Sequence, residues 1–207
     1  PDSLVVGFAR RAATYKRADL ILGKPDRLRA LLDKGVALVF SGKSHPRDER
    51  GRSMVASLVA ATRDFPGQVV FLENYDMLVG ALLTRGCDIW LNNPRRPKEA
   101  CGTSGMKAAM NGVPNCSILD GWWPEGCEHG VNGWQIKADY GDVQDEAGRD
   151  ELDRDELYRV MEEDVLTAWN DQDKWLDIML ASIRMSQWQF SSDRMVQDYY
   201  DKLYRLD

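Results

Sequence analysis

Pro97-Lys98-Glu99-Ala100-Cys101-Gly102-Thr103-Ser104-Gly105-Met106-Lys107-Ala108-Ala109-Met110-Asn111-Gly112 is followed by Val113-Pro114 and then Asn115-Cys116-Ser117-Ile118-Leu119. Small and hydroxyl residues run into a helix over Gly105–Asn111, which Gly112-Val113-Pro114 stops. The apolar run Asn115–Leu119 then reads as a strand. This loop, helix and strand form one unit of a repeating pattern. Working outward, strands are expected over Ser3–Phe8, Val36–Ser41, Gln68–Leu72 and Asp88–Leu91. Helices are expected over Thr14–Leu22, Asp26–Lys34, Pro46–Asp64 and Met77–Thr84. Residues 120–149, rich in Gly, Trp and charge, read as irregular. Helices over about 151–169, 172–186 and 192–205 close the chain.

Short strands alternating with helices predict an α/β fold: a doubly wound, Rossmann-like parallel sheet covered on both faces, with a helical C-terminal tail. Ligands of such sheets bind at the carboxyl ends of the strands, near the point where strand order reverses. The loops after Phe8, Ser41, Leu72, Leu91 and Leu119 are therefore the ones to inspect.

The 207 residues, 43% hydrophobic and 29% charged, exclude a disordered or fibrous chain. Even the most apolar stretch, Val36–Phe40, is far shorter than the roughly 20 residues that span a bilayer. No signal peptide is evident, and the strand-like run soon after Pro1 suggests a piece of a longer chain. The net charge of −6 argues against nucleic acid as a partner. Its distribution is uneven: residues 1–63 carry 13 Lys/Arg against 6 Asp/Glu, and residues 142–164 carry 11 Asp/Glu against 3 Arg. The basic half suits a small anion, and the acidic stretch reads as a solvated helix face. Cys87, Cys101, Cys116 and Cys127 are spaced for neither a zinc ribbon nor a redox pair, and His45 and His129 are the only histidines. No metal site is expected, and free thiols fit a reducing, cytoplasmic compartment.

Two segments carry chemistry. Arg10-Arg11-Ala12-Ala13-Thr14-Tyr15-Lys16-Arg17 places four cations at a strand-to-helix junction. There arginine forks, a lysine and free N–H groups could clamp a phosphate; the alternative is a basic surface patch. In the second segment, Gly102 and Gly105 admit close backbone approach, and the N–H groups that follow suit an anion. Lys107, expected in the first helical turn and half-buried beside Met106 and Met110, could form a Schiff base with an aldehyde cofactor or pair with a phosphate. The spacing of a nucleoside-triphosphate loop is absent.

Residues 97–123, ending Asp120-Gly121-Trp122-Trp123, resemble the pyridoxal-phosphate segment of α-glucan (glycogen, maltodextrin) phosphorylases, in their shorter bacterial and archaeal branch. Phe8–Arg17 is similar to the family's phosphate loop, Phe71-Leu72-Glu73-Asn74-Tyr75 to another active-site stretch, and Phe190-Ser191-Ser192-Asp193-Arg194 to its C-terminal helix start. The resemblance covers essentially the whole chain. It implies the C-terminal, cofactor-carrying half of a two-domain GT-B type glycosyltransferase of glycogen breakdown, whose N-terminal domain is missing. Residues 1–190 would form the pyridoxal-phosphate and phosphate-binding domain; 191–207 would form a helix crossing toward the absent domain.

The resemblance further implies retaining transfer of a glucosyl unit from an α-1,4-glucan end to orthophosphate, giving glucose 1-phosphate. By matching position, Lys107 anchors the cofactor as an imine. Thr103, Ser104 and Gly105 hold its phosphate, and Arg10 and Tyr75 belong to the same site. Glu99, Ala100, Cys101 and Gly102 contact the glucosyl unit, while Arg11 and Lys16 bind orthophosphate. Cys101 stands where the animal-type pattern has serine, Ser104-Gly105 where it has glycine-asparagine, and Ala13 where it has histidine. The isolated piece is expected to fold without catalysing; its retention of the cofactor and its homo-oligomer formation are left open.

Two other readings stand beside this one. Nucleotide-sugar glycosyltransferases of the same architecture often place two glutamates eight positions apart in this loop. Here Glu99 is followed at that distance by Lys107. A non-catalytic cofactor- or sugar-binding module is the third reading. Trp122-Trp123 is expected in the core more than under a sugar, and His45 as an orienting residue more than a base.

Overall fold

The computed structural model describes residues 3–205. Six parallel strands form one sheet in the order β3-β2-β1-β4-β5-β6. They are β1 (Leu4–Ala9), β2 (Val36–Ser41), β3 (Val69–Leu72), β4 (Ile89–Asn92), β5 (Asn115–Ile118) and β6 (Gly133–Ile136). Among the described residues the helices are α1 (Pro25–Asp33), α2 (Glu49–Asp64), α3 (Met77–Gly86), α4 (Thr103–Met110), the single turn α5 (Trp123–Gly126), α6 (Glu146–Arg159), α7 (Leu166–Trp169), α8 (Gln172–Gln189) and α9 (Ser192–Tyr199). A wide π-type turn over Val160–Val165 joins α6 to α7.

β1, β4 and β5 are almost wholly buried, which is why they read as apolar runs rather than alternating ones. Leu4, Val6 and Phe8 point to one face of β1, where Leu28 and Leu31 of α1, Met54 and Leu58 of α2, and Leu157, Tyr158 and Met161 complete the main core. Val5 and Ala9 point to the other face, against Leu83 of α3 and Ala108 of α4. Strand order reverses between β1 and β4, so the loops after these two strands frame the crevice in which sheets of this kind bind ligands.

The doubly wound parallel sheet agrees with the sequence expectation; two local differences have identifiable causes. The stretch over 120–149 is not wholly irregular, because Gly133–Ile136 adds β6 beside β5. Its Trp134-Gln135-Ile136 alternation is too short to stand out. The expected helix Thr14–Leu22 is instead two tight 3-10 turns, Thr14–Lys16 and Leu20–Gly23. Between them Arg17 takes left-handed backbone, at φ 47°. The helix N-terminus that the phosphate-clamp reading placed after β1 is therefore absent. Trp122 and Trp123 are buried, as expected: Trp122 packs edge-on against Phe190, and the Trp123 indole N–H donates to the Trp134 carbonyl.

Candidate functional site

Gly102 caps α4 with a left-handed φ of 98°, a conformation that costs glycine nothing. The helix therefore starts at Thr103, earlier than the sequence suggests, and Lys107 falls in its second turn. The Lys107 side chain is exposed rather than half-buried. Gly105 is required for another reason: a Cβ there would meet Asn115 Oδ1 at 2.4 Å. Its absence lets α4 rest on β5, where the Asn115 amide donates to the Gly105 carbonyl at 2.9 Å.

Between α3 and α4, above the end of β1, lies a cleft of about 720 Å³. Its walls carry the cations Arg10, Arg11, Lys16, Arg85 and Lys107 against one carboxylate, Asp76. Asp76 is engaged as the cap of α3, accepting from the Val79 N–H at 2.8 Å. Tyr75, Thr103 and Ser104 line the same cleft. The Ser104 hydroxyl and the Arg10 Nε are buried without a hydrogen-bond partner. Such orphans are uncommon in folded proteins and are what a ligand phosphate can satisfy. Thr103 and Ser104 open the first turn of α4, so their N–H groups lack intrahelical acceptors. The Gly105 N–H is already committed to the Gly102 carbonyl at 3.0 Å.

Glu99 is the pivot of the loop floor. Its carboxylate takes the Lys16 ammonium at 2.8 and 3.1 Å and an Arg10 Nη at 2.9 Å. Its own backbone N–H donates to Asp120 Oδ2 at 2.9 Å. Arg10 also donates to Asn92 Oδ1, and Asn92 in turn donates to Ser117 at 3.0 Å. Burial draws the Arg10 guanidinium below its usual pKa, with Glu99 opposing that shift. Burial likewise raises the Tyr75 phenol, and the charge of Arg10 acts against it.

Among the residues expected at the site, Arg10, Arg11, Lys16, Tyr75, Thr103, Ser104 and Lys107 share this one cleft. Gly102 and Gly105 sit behind it in the loop and first turn. Ala100 is exposed; the Cys101 thiol rests 4.0 Å from the Met106 sulfur, and the Cys101 carbonyl accepts from the Trp122 N–H. Arg17, which the sequence grouped with the clamp, turns away from the cleft into a separate cluster. The sequence reading passed over Asn92 and Ser117. Their signal was positional, because both stand at the carboxyl ends of strands beside the switch point. Asp120, quoted only as part of a motif, buttresses Glu99.

No protein-family model matches the chain. Over 214 residues it is 42% identical to glycogen phosphorylase of Aquifex aeolicus, an alignment covering 98% of this chain and 30% of that protein. Over 210 residues it is 43% identical to maltodextrin phosphorylase of Thermococcus litoralis, covering 98% of this chain and 25% of the relative. It is a homologue of glycogen and maltodextrin phosphorylases. The chain thus spans well under half the length of these phosphorylase relatives. Anabaena HepE, solved in complex with UDP and glucose, shares the fold: its TM-score is 0.70 at 18% identity, covering 99% of this chain and 49% of that one. No helix among the described residues is long and apolar enough to cross a membrane.

Proposed function

We propose that this chain is the cofactor-carrying half of an α-1,4-glucan phosphorylase, which moves a glucosyl unit from a glucan end to orthophosphate with retention. The observation that carries the proposal is the charge surplus of the cleft at the switch point, combined with Lys107 on the helix that begins there. Two phosphates side by side repel, and a site that holds both needs more cations than its own carboxylates neutralise.

Pyridoxal 5'-phosphate fits the donor set. Lys107 supplies an accessible amine one turn along from the N–H groups of Thr103 and Ser104. The unpartnered Ser104 hydroxyl and Arg10 Nε support a phosphate at this end of the cleft, which Tyr75 also lines. When bound, the cofactor supplies a phosphate next to that of the substrate. The chain's own residues do the rest. Arg11 is exposed at the cleft and makes no ion pair among the described residues, so it is placed to meet the incoming orthophosphate. Lys16 stands beside it, held by Glu99. Glu99 and the backbone of Ala100, Cys101 and Gly102 form the floor on which the glucosyl unit rests, and Asp120 holds that floor in place.

The opposite wall of the catalytic cleft belongs, in this reading, to an N-terminal domain outside the chain. A C-terminal helix that crosses toward that domain would account for the exposed end of the chain: α9 buries no residue, and Val196, Tyr199, Tyr200 and Leu203 are all exposed. The test is to incubate the full-length protein carrying this chain with maltodextrin and orthophosphate. Glucose 1-phosphate is expected. Glucosyl transfer from a nucleotide sugar, with none from phosphate, would overturn the reading in favour of a nucleotide-sugar transferase.

A further inference from the structure

We propose that Arg17 is a positioning residue for the anion site, held in place by two carboxylates of α6, Asp150 and Asp153. This rests on the reading of the cleft as a phosphate site.

Arg17 follows Lys16 directly, yet the two side chains go opposite ways. Arg17 is 3% exposed, and each nitrogen of its guanidinium has a partner. Nε donates to the Asn93 carbonyl at 2.9 Å and Nη2 to the Pro94 carbonyl at 3.0 Å. Nη1 pairs with Asp150 at 2.7 Å and Nη2 with Asp153 at 2.8 Å. The Arg17 carbonyl accepts from the Asn93 amide at 2.6 Å, and the Tyr15 carbonyl from the Arg95 N–H at 2.8 Å. The loop after β1 and the loop after β4 are thereby tied together.

The left-handed backbone of a non-glycine residue persists only where the surroundings over-determine it, and these bonds do so. The same two loops carry Lys16 and Glu99, whose contact at 2.8 Å depends on their relative placement. Asp150 is further held by Arg95 at 2.5 Å, and Asp153 accepts from the Tyr140 hydroxyl at 3.1 Å. The acidic stretch near residue 150, which reads from sequence as a solvated face, thus reaches into the site's foundations. A misplacement of about 1 Å at a reacting geometry can cost roughly a hundredfold, so the tie bears on function as well as on stability.

The experiment uses the full-length protein with Arg17→Met, Arg17→Lys and Asp153→Asn, each alone and with Lys16→Met. Calorimetry gives the orthophosphate dissociation constant, initial rates give the KM for phosphate and for glucan, and a thermal midpoint confirms folding. Arg17→Met should weaken phosphate binding about tenfold, with Arg17→Lys restoring part of the loss and the glucan KM unchanged. With Lys16 already replaced, the Arg17 change should weaken phosphate no further. Unaltered phosphate affinity in a folded Arg17→Met protein, or an equal loss in both backgrounds, would overturn the proposal. Should Arg17→Met fail to fold, the isosteric Asp153→Asn decides: about threefold weaker phosphate binding supports the proposal, and none refutes it. A wild-type protein that binds no orthophosphate would instead overturn the reading of the cleft, and the role of Arg17 with it.

Discussion

Lys16 and Arg17 are adjacent cations that serve two different charge clusters. On the cleft side Arg10 and Lys16 share the single carboxylate of Glu99, Arg11 and Lys107 stand exposed, and buried polar atoms lack partners. On the other side Arg17 and Arg95 meet Asp150 and Asp153 in a balanced set whose members also bond to backbone and to Tyr140. The contrast separates binding from building. A charge-balanced cluster has little left to offer an anion, whereas a surplus of positive charge with orphaned donors suits one.

The largest effect should come from breaking the balanced cluster. Asp153→Ala leaves the buried Arg17 short of a counter-ion, and deleting one partner of a buried pair typically costs about 3–5 kcal/mol. Urea unfolding should show a loss of that size, while Glu163→Ala, exposed on the neighbouring π-type turn, should be within about 0.5 kcal/mol of the parent. Equal effects would erase the distinction. In the surplus cluster, Arg11→Ala should leave stability unchanged and weaken orthophosphate about 10- to 100-fold, the worth of a charge-assisted contact. Glucan affinity should hold; parallel losses for both ligands would assign Arg11 to folding instead.

Acid should also distinguish the clusters. Burial raises the Asp150 carboxyl, but hydrogen bonds from Arg95 and Arg17 outweigh it and hold the group below its usual value. A group depressed in the folded state adds stability above the unfolded value near 3.9, and that stability is lost as pH falls through the folded value. Thermal midpoints should therefore decline below about pH 4, and Asp150→Asn should flatten that limb; an unchanged acid profile would refute the assignment.

The smallest effect concerns thiols away from both clusters. Burial pushes Cys87 and Cys127 up to about 12, so neutral alkylation of either should be slow until the protein unfolds. Rapid labelling of the folded protein would contradict the burial of Cys87 and the half-burial of Cys127.

The fold was legible because a parallel sheet covered by helices draws on apolar strands, and runs such as Val36–Ser41 announce that directly. β6 was hidden by its length of four residues, and the helix expected over Thr14–Leu22 gave way to tertiary bonds. The local pattern there favours a helix, but Arg17 bonds to residues more than 75 positions away and bends the backbone to reach them. The candidate site was legible where its residues lie within one segment, as with Glu99, Gly102 and Lys107. Partnerships such as Arg10 with Asn92 or Arg17 with Asp153 link distant segments through the topology, and no local pattern announces them.

The central claim, that the surplus cluster is a pyridoxal-phosphate site built around Lys107, is tested most directly by covalent trapping. The full-length protein carrying this chain, loaded with pyridoxal 5'-phosphate, would be reduced with borohydride and mapped by peptide mass. A single pyridoxyl group on Lys107, absent from Lys107→Ala, is the expected result. Label on a different lysine, or spread over surface lysines with Lys107 unmodified, would contradict the account.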